Sequence, residues 1–300
     1  MPNFSEGREL ARVNALELAI SSVAGVVVLH RTSDPDHNRS VITFAGKPEP
    51  VLEAAVRATA KAVELIDVSR HQGVHPRVGA LDVLPFVPLG PATLAECVEL
   101  AHKAGQRIWN ELRIPIYFYG AAATRPDRMK LEDVRRGEFE GLAQAVTVDQ
   151  TKTPDFGGPN LHPRAGAVIV GARKILIAYN INLKTKDVRI AKSIAKQIRE
   201  SSGGLKAVKA LGLPLTSRGL VQISMNLTDY EQTPIPVVYA EVSRLATLHG
   251  VEIEESELIG LVPRKALEMT TAASLKLSDF DSQRVIENRI ETLSRAIHKR

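Results

Sequence analysis

Two histidines, two arginines and an aspartate crowd into one thirteen-residue stretch, Arg70-His71-Gln72-Gly73-Val74-His75-Pro76-Arg77-Val78-Gly79-Ala80-Leu81-Asp82. A histidine can carry a proton near neutral pH, and an arginine can orient a carboxylate through paired N–H donors. Loops on a rigid scaffold often hold chemistry, although the same residues would suit a solvated surface loop. The His71-x-x-x-His75 spacing brings no evident third ligand, so no metal is expected. A second cluster, Asp34-Pro35-Asp36-His37-Asn38-Arg39, offers an acid–base pair or a hairpin turn, since Asp, Asn and Pro all favour turns. A third runs from Pro154 through Gly157, Gly158, Pro159, Asn160, Leu161, His162, Pro163, Arg164 and Ala165 to Gly166. Its glycines admit close backbone approach to a ligand and its prolines stiffen the path, as a binding loop or a connector requires. It matches neither the phosphate-loop nor the dinucleotide pattern, so no nucleotide is expected. Asn180 and Asn182 alternate within an apolar run and so face one way, into a cleft or along a sheet edge. Asn226, Thr228 and Asp229 end another such run.

These residues need elements to position them. Residues 25–30 and 40–45 read as strands rich in β-branched side chains, joined by a turn over 33–38. Apolar spacing of three and four predicts a helix over 49–66, with Thr59 interrupting its stripe. Residues 81–87 and 114–119 read as strands and 93–105 as a helix. The pattern then repeats. Residues 167–183 are strand-like, 187–200 an amphipathic helix, 219–227 a strand and 236–248 a helix. A strand over 257–262, a helix from Arg264 and a final helix carrying Ile286, Ile290, Leu293 and Ile297 follow. Each half reads as a sheet with helices on one side, with a boundary near residue 175 and no long linker.

Composition narrows the class. Of 300 residues, 44% are apolar and 24% charged, a soluble profile long enough for two domains. The single cysteine, Cys97, rules out an internal disulfide framework and a cysteine-based zinc site. No apolar run approaches the roughly 18 residues of a membrane span, and Met1 to Arg8 lacks the basic flank and apolar block of a secretory signal, so a cytoplasmic protein is expected. The net charge of +5 is uneven. Residues 1–150 sum to −2 and residues 151–300 to +7. From Arg164 to Lys209, eleven basic residues face only Asp187 and Glu200. Such a field attracts anions. Arg189, Lys192, Lys196 and Arg199 form a helical stripe, either a solvated face or a nucleic-acid surface. The absence of interleaved aromatics argues against single-strand binding, and no nucleic-acid partner is expected.

Nine motifs in order add a resemblance. They are residues 2–8 (Pro-Asn-Phe-Ser-Glu-Gly-Arg), Asn38-Arg39, His71-x-Gly-x-His-Pro-Arg-x-Gly-Ala-x-Asp82, Pro85-Phe-x-Pro88, Pro154-Asp-Phe-Gly157, Gly171-Ala-Arg173, Asn180-Ile-Asn-Leu183, residues 224–230 (Ser-Met-Asn-Leu-Thr-Asp-Tyr) and residues 257–263 (Glu-Leu-Ile-Gly-Leu-Val-Pro). Together they cover the chain to about residue 270 and resemble the glutamate formimidoyltransferase family of histidine breakdown. The resemblance implies an α+β fold of α/β layers. Two ferredoxin-like subdomains, 1–174 and 175–300, would each be a sheet covered by helices, with a ligand tunnel between the sheets. It implies transfer of a formimidoyl group from N-formimidoyl-L-glutamate to N5 of tetrahydrofolate, giving 5-formimidoyltetrahydrofolate and glutamate. Tetrahydrofolate is then a co-substrate, and a homodimer is expected. His75 falls on the family's catalytic histidine and Gly157–Gly166 on its folate-contacting loop.

Animal members carry an acidic residue that pairs with the catalytic histidine at the position of Thr32, and another at the position of His30. The nearest acids here are Asp34 and Asp36, and one of them is expected to take that role. Asn38, Arg39, His71, Arg77, Asn180 and Asn182 are candidates for supporting the site or gripping substrate carboxylates, as is Arg164. The chain ends before any cyclodeaminase module, implying a monofunctional form. The alternatives are a related enzyme acting on 5-formyltetrahydrofolate and a non-catalytic folate-binding protein.

Overall fold

A computed structural model of the chain describes residues 1–268, 270–278 and 280–297. Residues 298–300, which the expected second domain includes, lie outside this range. The chain divides into two compact units, Met1–Arg173 and Lys174–Arg300.

The first unit runs β1 (Asn3–Phe4), α1 (Leu10–Ser21), β2 (Val26–Asp34), β3 (Arg39–Gly46), α2 (Pro48–Leu65), β4 (Leu81–Phe86), α3 (Leu94–Leu112), β5 (Ile116–Gly120), α4 (Leu131–Val134), α5 (Glu138–Val148) and β6 (Val168–Ala172). Its six strands lie in the order β2-β3-β1-β4-β6-β5. β1 pairs antiparallel with both β3 and β4, while β4, β6 and β5 run parallel. Helices α1, α2 and α3 pack on this sheet, burying Leu16, Ile20, Leu52, Ala55, Ala101 and Ile108. α3 begins at a capping box: Glu96 N–H donates to Thr93 Oγ1 at 3.2 Å and Thr93 N–H donates to Glu96 Oε2 at 2.7 Å. The helix passes through Gly105, where the sequence had suggested an end. The reason is packing: a Cβ there would lie 2.6 Å from the Phe118 ring, so the glycine seats the helix on β5.

The second unit runs β7 (Ile177–Leu183), α6 (Val188–Ile198), β8 (Val208–Leu215), β9 (Leu220–Leu227), α7 (Ile235–Leu248), β10 (Ile253–Ile259) and α8 (Ile286–Ile297). Its four strands are ordered β10-β7-β9-β8, every neighbour antiparallel. Ile177, Tyr179, Ile181 and Leu183 alternate inward against α6 and α7, so Asn180 and Asn182 share the opposite face. Burying each such apolar side chain is worth about 1.5–3 kcal/mol, so a one-residue slip would cost more than the polar face could return. Asp187 caps α6 by accepting from Arg189 N–H at 2.9 Å.

Several expectations change. The run 167–183 is not one strand: β6 and β7 belong to different sheets, and the units divide between Arg173 and Lys174. The helix expected from Arg264 is a single 3-10 turn, Arg264–Leu267. The strand expected over 257–262 lies earlier, over Ile253–Ile259. No described helix is long and apolar enough to cross a membrane.

Candidate active site

His75 lies half-buried in the loop between α2 and β4. Its Nδ1 is 2.7 Å from the Pro76 carbonyl oxygen and 3.2 Å from Arg39 Nη1. A carbonyl can only accept, so the shorter contact places the proton on Nδ1. The Arg39 approach is then a charge contact, and Nε2 keeps a free lone pair. Burial, the Arg39 charge and, more weakly, Arg135 push the His75 pKa down to about 4. The imidazole is therefore neutral near pH 7, with Nε2 ready to take a proton.

Arg39 is itself held. Its Nη1 donates to Asp82 Oδ2 at 3.0 Å and its Nη2 to Asn3 Oδ1 at 2.6 Å. Three strands supply these groups: β3 brings Arg39, β1 brings Asn3 and β4 brings Asp82. Asp82 is fully buried; its Oδ1 accepts from Val78 N–H at 2.8 Å and its Oδ2 also accepts from Arg135 Nη2. Burial alone would raise the Asp82 pKa, but Arg135, Arg39 and the Val78 N–H outweigh it and hold the carboxyl below its ordinary range.

The loop carrying His75 is stitched to the 157–166 segment. Ala80 N–H donates to the Ala165 carbonyl at 2.9 Å, and Ala167 N–H to the Val78 carbonyl at 3.2 Å. Gly79 and Gly166 face each other across this seam. A Cβ on Gly79 would overlap the Ala167 carbonyl, and one on Gly166, at φ +68°, would overlap the Val78 carbonyl. Within the segment, His162 Nδ1 accepts from Arg164 N–H at 3.2 Å and Ala165 N–H at 2.9 Å, closing a turn. Leu161 and Ala165 are buried, while Gly158, Pro159 and Asn160 are exposed.

The other candidates take different places. Asp34 does not touch His75: its Oδ2 lies 2.8 Å from His37 Nδ1, and its Oδ1 accepts from the Asp36 and His37 N–H groups. The His37 ring stands edge-on to His75 with centroids 6.1 Å apart. Asp36 is exposed in the turn, and its backbone carbonyl faces Val74 N–H at 3.5 Å. Asn38 is a fastener: Oδ1 accepts from Gly7 N–H at 3.0 Å and Nδ2 donates to the Gln72 carbonyl at 3.1 Å. His71 Nε2 donates to the Asn38 carbonyl at 2.9 Å, leaving a buried Nδ1 without a partner, and burial lowers its pKa. Arg77 turns away from the His75 neighbourhood into α5, donating to Glu138 at 3.2 Å and to both oxygens of Glu140. Two carboxylates thus occupy a guanidinium that the sequence offered for substrate. Arg164, 61% exposed, lies on Asp67 at 3.2 Å.

Asn180 and Asn182 lie in the second unit. Asn182 Nδ2 donates to Glu257 Oε1 at 2.8 Å and Glu255 Oε1 at 3.2 Å, and its Oδ1 accepts from Gln222 Nε2 at 3.0 Å. On the basic stripe, Arg189 pairs with Asp187 and Arg199 Nε donates to Ser202 Oγ at 2.8 Å, while Lys192 and Lys196 stand exposed. Sequence reasoning missed Asn3 and Arg135. Arg135 follows α4, 53 residues from Asp82, and no local pattern marks it. Among the described residues no group of three His, Cys, Asp or Glu side chains converges on a metal position.

Comparison with known proteins gives a consistent result. Residues 1–173 match the formiminotransferase domain, N-terminal subdomain, and residues 178–295 match the formiminotransferase domain. A glutamate formimidoyltransferase of Thermoplasma acidophilum is 46% identical over 293 residues, spanning 97% of this chain and 96% of its own length. One from Streptococcus pyogenes serotype M1 is 42% identical over 291 residues, 97% of each chain. A formimidoyltransferase-cyclodeaminase of Gallus gallus is 45% identical over 272 residues, 89% of this chain and half of its own length.

Proposed function

The chain belongs to the formiminotransferase family, and we propose that His75 is the proton carrier of its reaction. The activity is that of a glutamate formimidoyltransferase: the formimidoyl group moves from N-formimidoyl-L-glutamate to N5 of tetrahydrofolate. N5 attacks the formimidoyl carbon, and a tetrahedral intermediate forms. His75 Nε2 takes the proton that N5 gives up as the new C–N bond forms. It returns that proton to the glutamate nitrogen as the old C–N bond breaks, so the imidazole ends neutral. General acid–base catalysis of this kind contributes about 10²–10⁴-fold, and holding two substrates together contributes further.

The observation that carries this reading is the Pro76 carbonyl on Nδ1, which fixes the tautomer and leaves Nε2 basic. The low pKa suits both half-steps: the base is unprotonated at neutral pH and, once protonated, is a strong acid toward the leaving nitrogen. The 157–166 segment is the folate-contacting loop in this reading. Its seam with the 71–82 loop supports that role, because it ties any group held there to the frame of His75. The catalytic half is then subdomain 1–174, and 175–300 is the second subdomain. The β-α-β-β-α-β order of the second unit and its antiparallel strand order support a ferredoxin-like reading there.

The test is tetrahydrofolate-dependent release of glutamate from formimidoylglutamate, with formylglutamate as a competing donor. His75→Ala is expected to lose about 10²–10⁴-fold in kcat while folate affinity stays within a few fold. Near-normal turnover by that variant would overturn the assignment.

A further inference from the structure

The Asp82 carboxylate sits between two guanidiniums. One oxygen, Oδ2, accepts from both Arg39 and Arg135, and the other is taken by Val78 N–H. The trio therefore keeps a net positive charge, although the Arg39 and Arg135 side chains are only 14% and 12% exposed. A guanidinium has five N–H donors. Arg135 makes one side-chain hydrogen bond among the described residues, the one to Asp82, and its Nε–H is buried with no acceptor. Buried cations and buried donors are costly unless an anion or acceptor meets them, and such an orphan in a native fold asks for an explanation. Arg77 in the same unit differs in charge balance: it faces two carboxylates, Glu138 and Glu140, although its own Nε–H is also buried without an acceptor.

We infer that Arg135, with Arg39, receives the α-carboxylate of the formimidoylglutamate donor. The inference rests on the function proposed above and adds a specificity-determining residue to it. Arg39 Nη1 is 3.2 Å from the His75 ring, and the charge of Arg135 also reaches that ring. An anion seated on these two guanidiniums is therefore next to the group that protonates the leaving nitrogen. In glutamate the α-carboxylate is on the carbon that bears that nitrogen, whereas the γ-carboxylate is two methylenes further away. The α-carboxylate is thus the one that can meet the arginines while the nitrogen meets Nε2. A bidentate pair also fixes the donor's orientation as well as its affinity. Once bound, the anion offsets the excess positive charge of the trio.

The experiment compares Arg135→Gln and Arg135→Lys with wild type on three donors: formimidoylglutamate, its α-amide and its γ-amide. Loss of one charge-assisted contact predicts a rise of about 10- to 100-fold in donor KM for Arg135→Gln, with the tetrahydrofolate KM within about twofold. The α-amide should lose as much on wild type, and little more on Arg135→Gln, because the same contact is already gone. The γ-amide should lose equally on both enzymes. Arg135→Lys keeps a cation beside Asp82 and guards the fold; it should show the same donor-selective rise, smaller in size. Equal changes in both substrates' KM, an unchanged donor KM, or an α-amide penalty of the same size in wild type and variant would each overturn the inference. Calorimetric binding of glutamate by wild type separates this inference from the functional reading. Absence of turnover would defeat that reading, while glutamate binding that weakens in Arg135→Gln would still support the anion site.

Discussion

Each unit carries a polar network on a strand face, and the two have opposite balance. In the first, two guanidiniums share one carboxylate, and that carboxylate is fully buried. In the second, Glu255 and Glu257 share Arg218 and the amide of Asn182, and Gln222 completes the Asn182 amide. The second network is closed. Both hydrogen-bonding ends of the Asn182 amide are engaged, and the two carboxylates are partly solvated. The first is left open on its cationic side, at the Arg135 Nε–H. A closed network rigidifies a sheet; an open one of net positive charge, beside a half-buried imidazole, suits an anionic substrate. The sign of the net charge and the tally of unmet donors together separate them.

The largest expected break in this comparison is at Asp82. Asp82→Asn keeps the shape but leaves Arg39 and Arg135 facing a neutral amide. Breaking a buried ion pair in this way typically costs about 3–5 kcal/mol, and we expect that loss in chemical denaturation at neutral pH. The folded carboxyl titrates below its unfolded value of 3.8, so its stabilisation is complete above that value and fades as the pH falls toward the lower folded one. The gap between wild type and variant should therefore narrow in strong acid. A loss under about 1 kcal/mol at neutral pH would show that the guanidiniums do not depend on Asp82.

The next effect is electrostatic. The free enzyme holds the His75 pKa down to about 4, through burial first and Arg39 second, with a smaller push from Arg135. An anion seated on Arg39 and Arg135 would cancel their part and leave burial in place. NMR titration of His75 should give an apparent pKa near 4 in the free enzyme and a higher one with saturating glutamate. An unperturbed histidine would titrate near 6.5 in both cases, and an identical low value in both would show that glutamate does not reach the arginines.

How much of this was legible in the sequence depended on how local each cause is. The chemistry of the His75 loop is written in thirteen consecutive residues, whereas its contacts with Asn38 and Arg39 span more than thirty residues and appear only in the fold. Arg135 depends on a contact 53 residues away and carries no local mark. Arg77 looked free because its partners, Glu138 and Glu140, lie on a helix that the pattern did not reveal. The helix α1 also escaped: Val13, Leu16 and Ile20 are buried but Leu10 and Leu18 are exposed, so its apolar residues mark no single face. β8 was hidden by Gly212 and Pro214, which read as turn residues yet are tolerated in a strand at the sheet edge. β6 and β7 fused into one apolar run because the few residues between them hold too little turn chemistry to announce a change of sheet.

The smallest effects should come from the second network, and they test whether it is closed. Asn182 is fully buried and engages both carboxylates and Gln222, so Asn182→Ala leaves buried polar groups short of partners, a cost of about 1–3 kcal/mol. Arg218 is 44% exposed, and water can replace it on Glu255 and Glu257. Arg218→Ala should therefore barely move the denaturation midpoint. Neither substitution touches the Arg39–Asp82–Arg135 trio, so a stability loss at Asn182 should come without the donor-selective KM rise expected at Arg135. A donor-selective rise in Asn182→Ala would mean that the second network also meets the donor, and the contrast between an open and a closed network would fail.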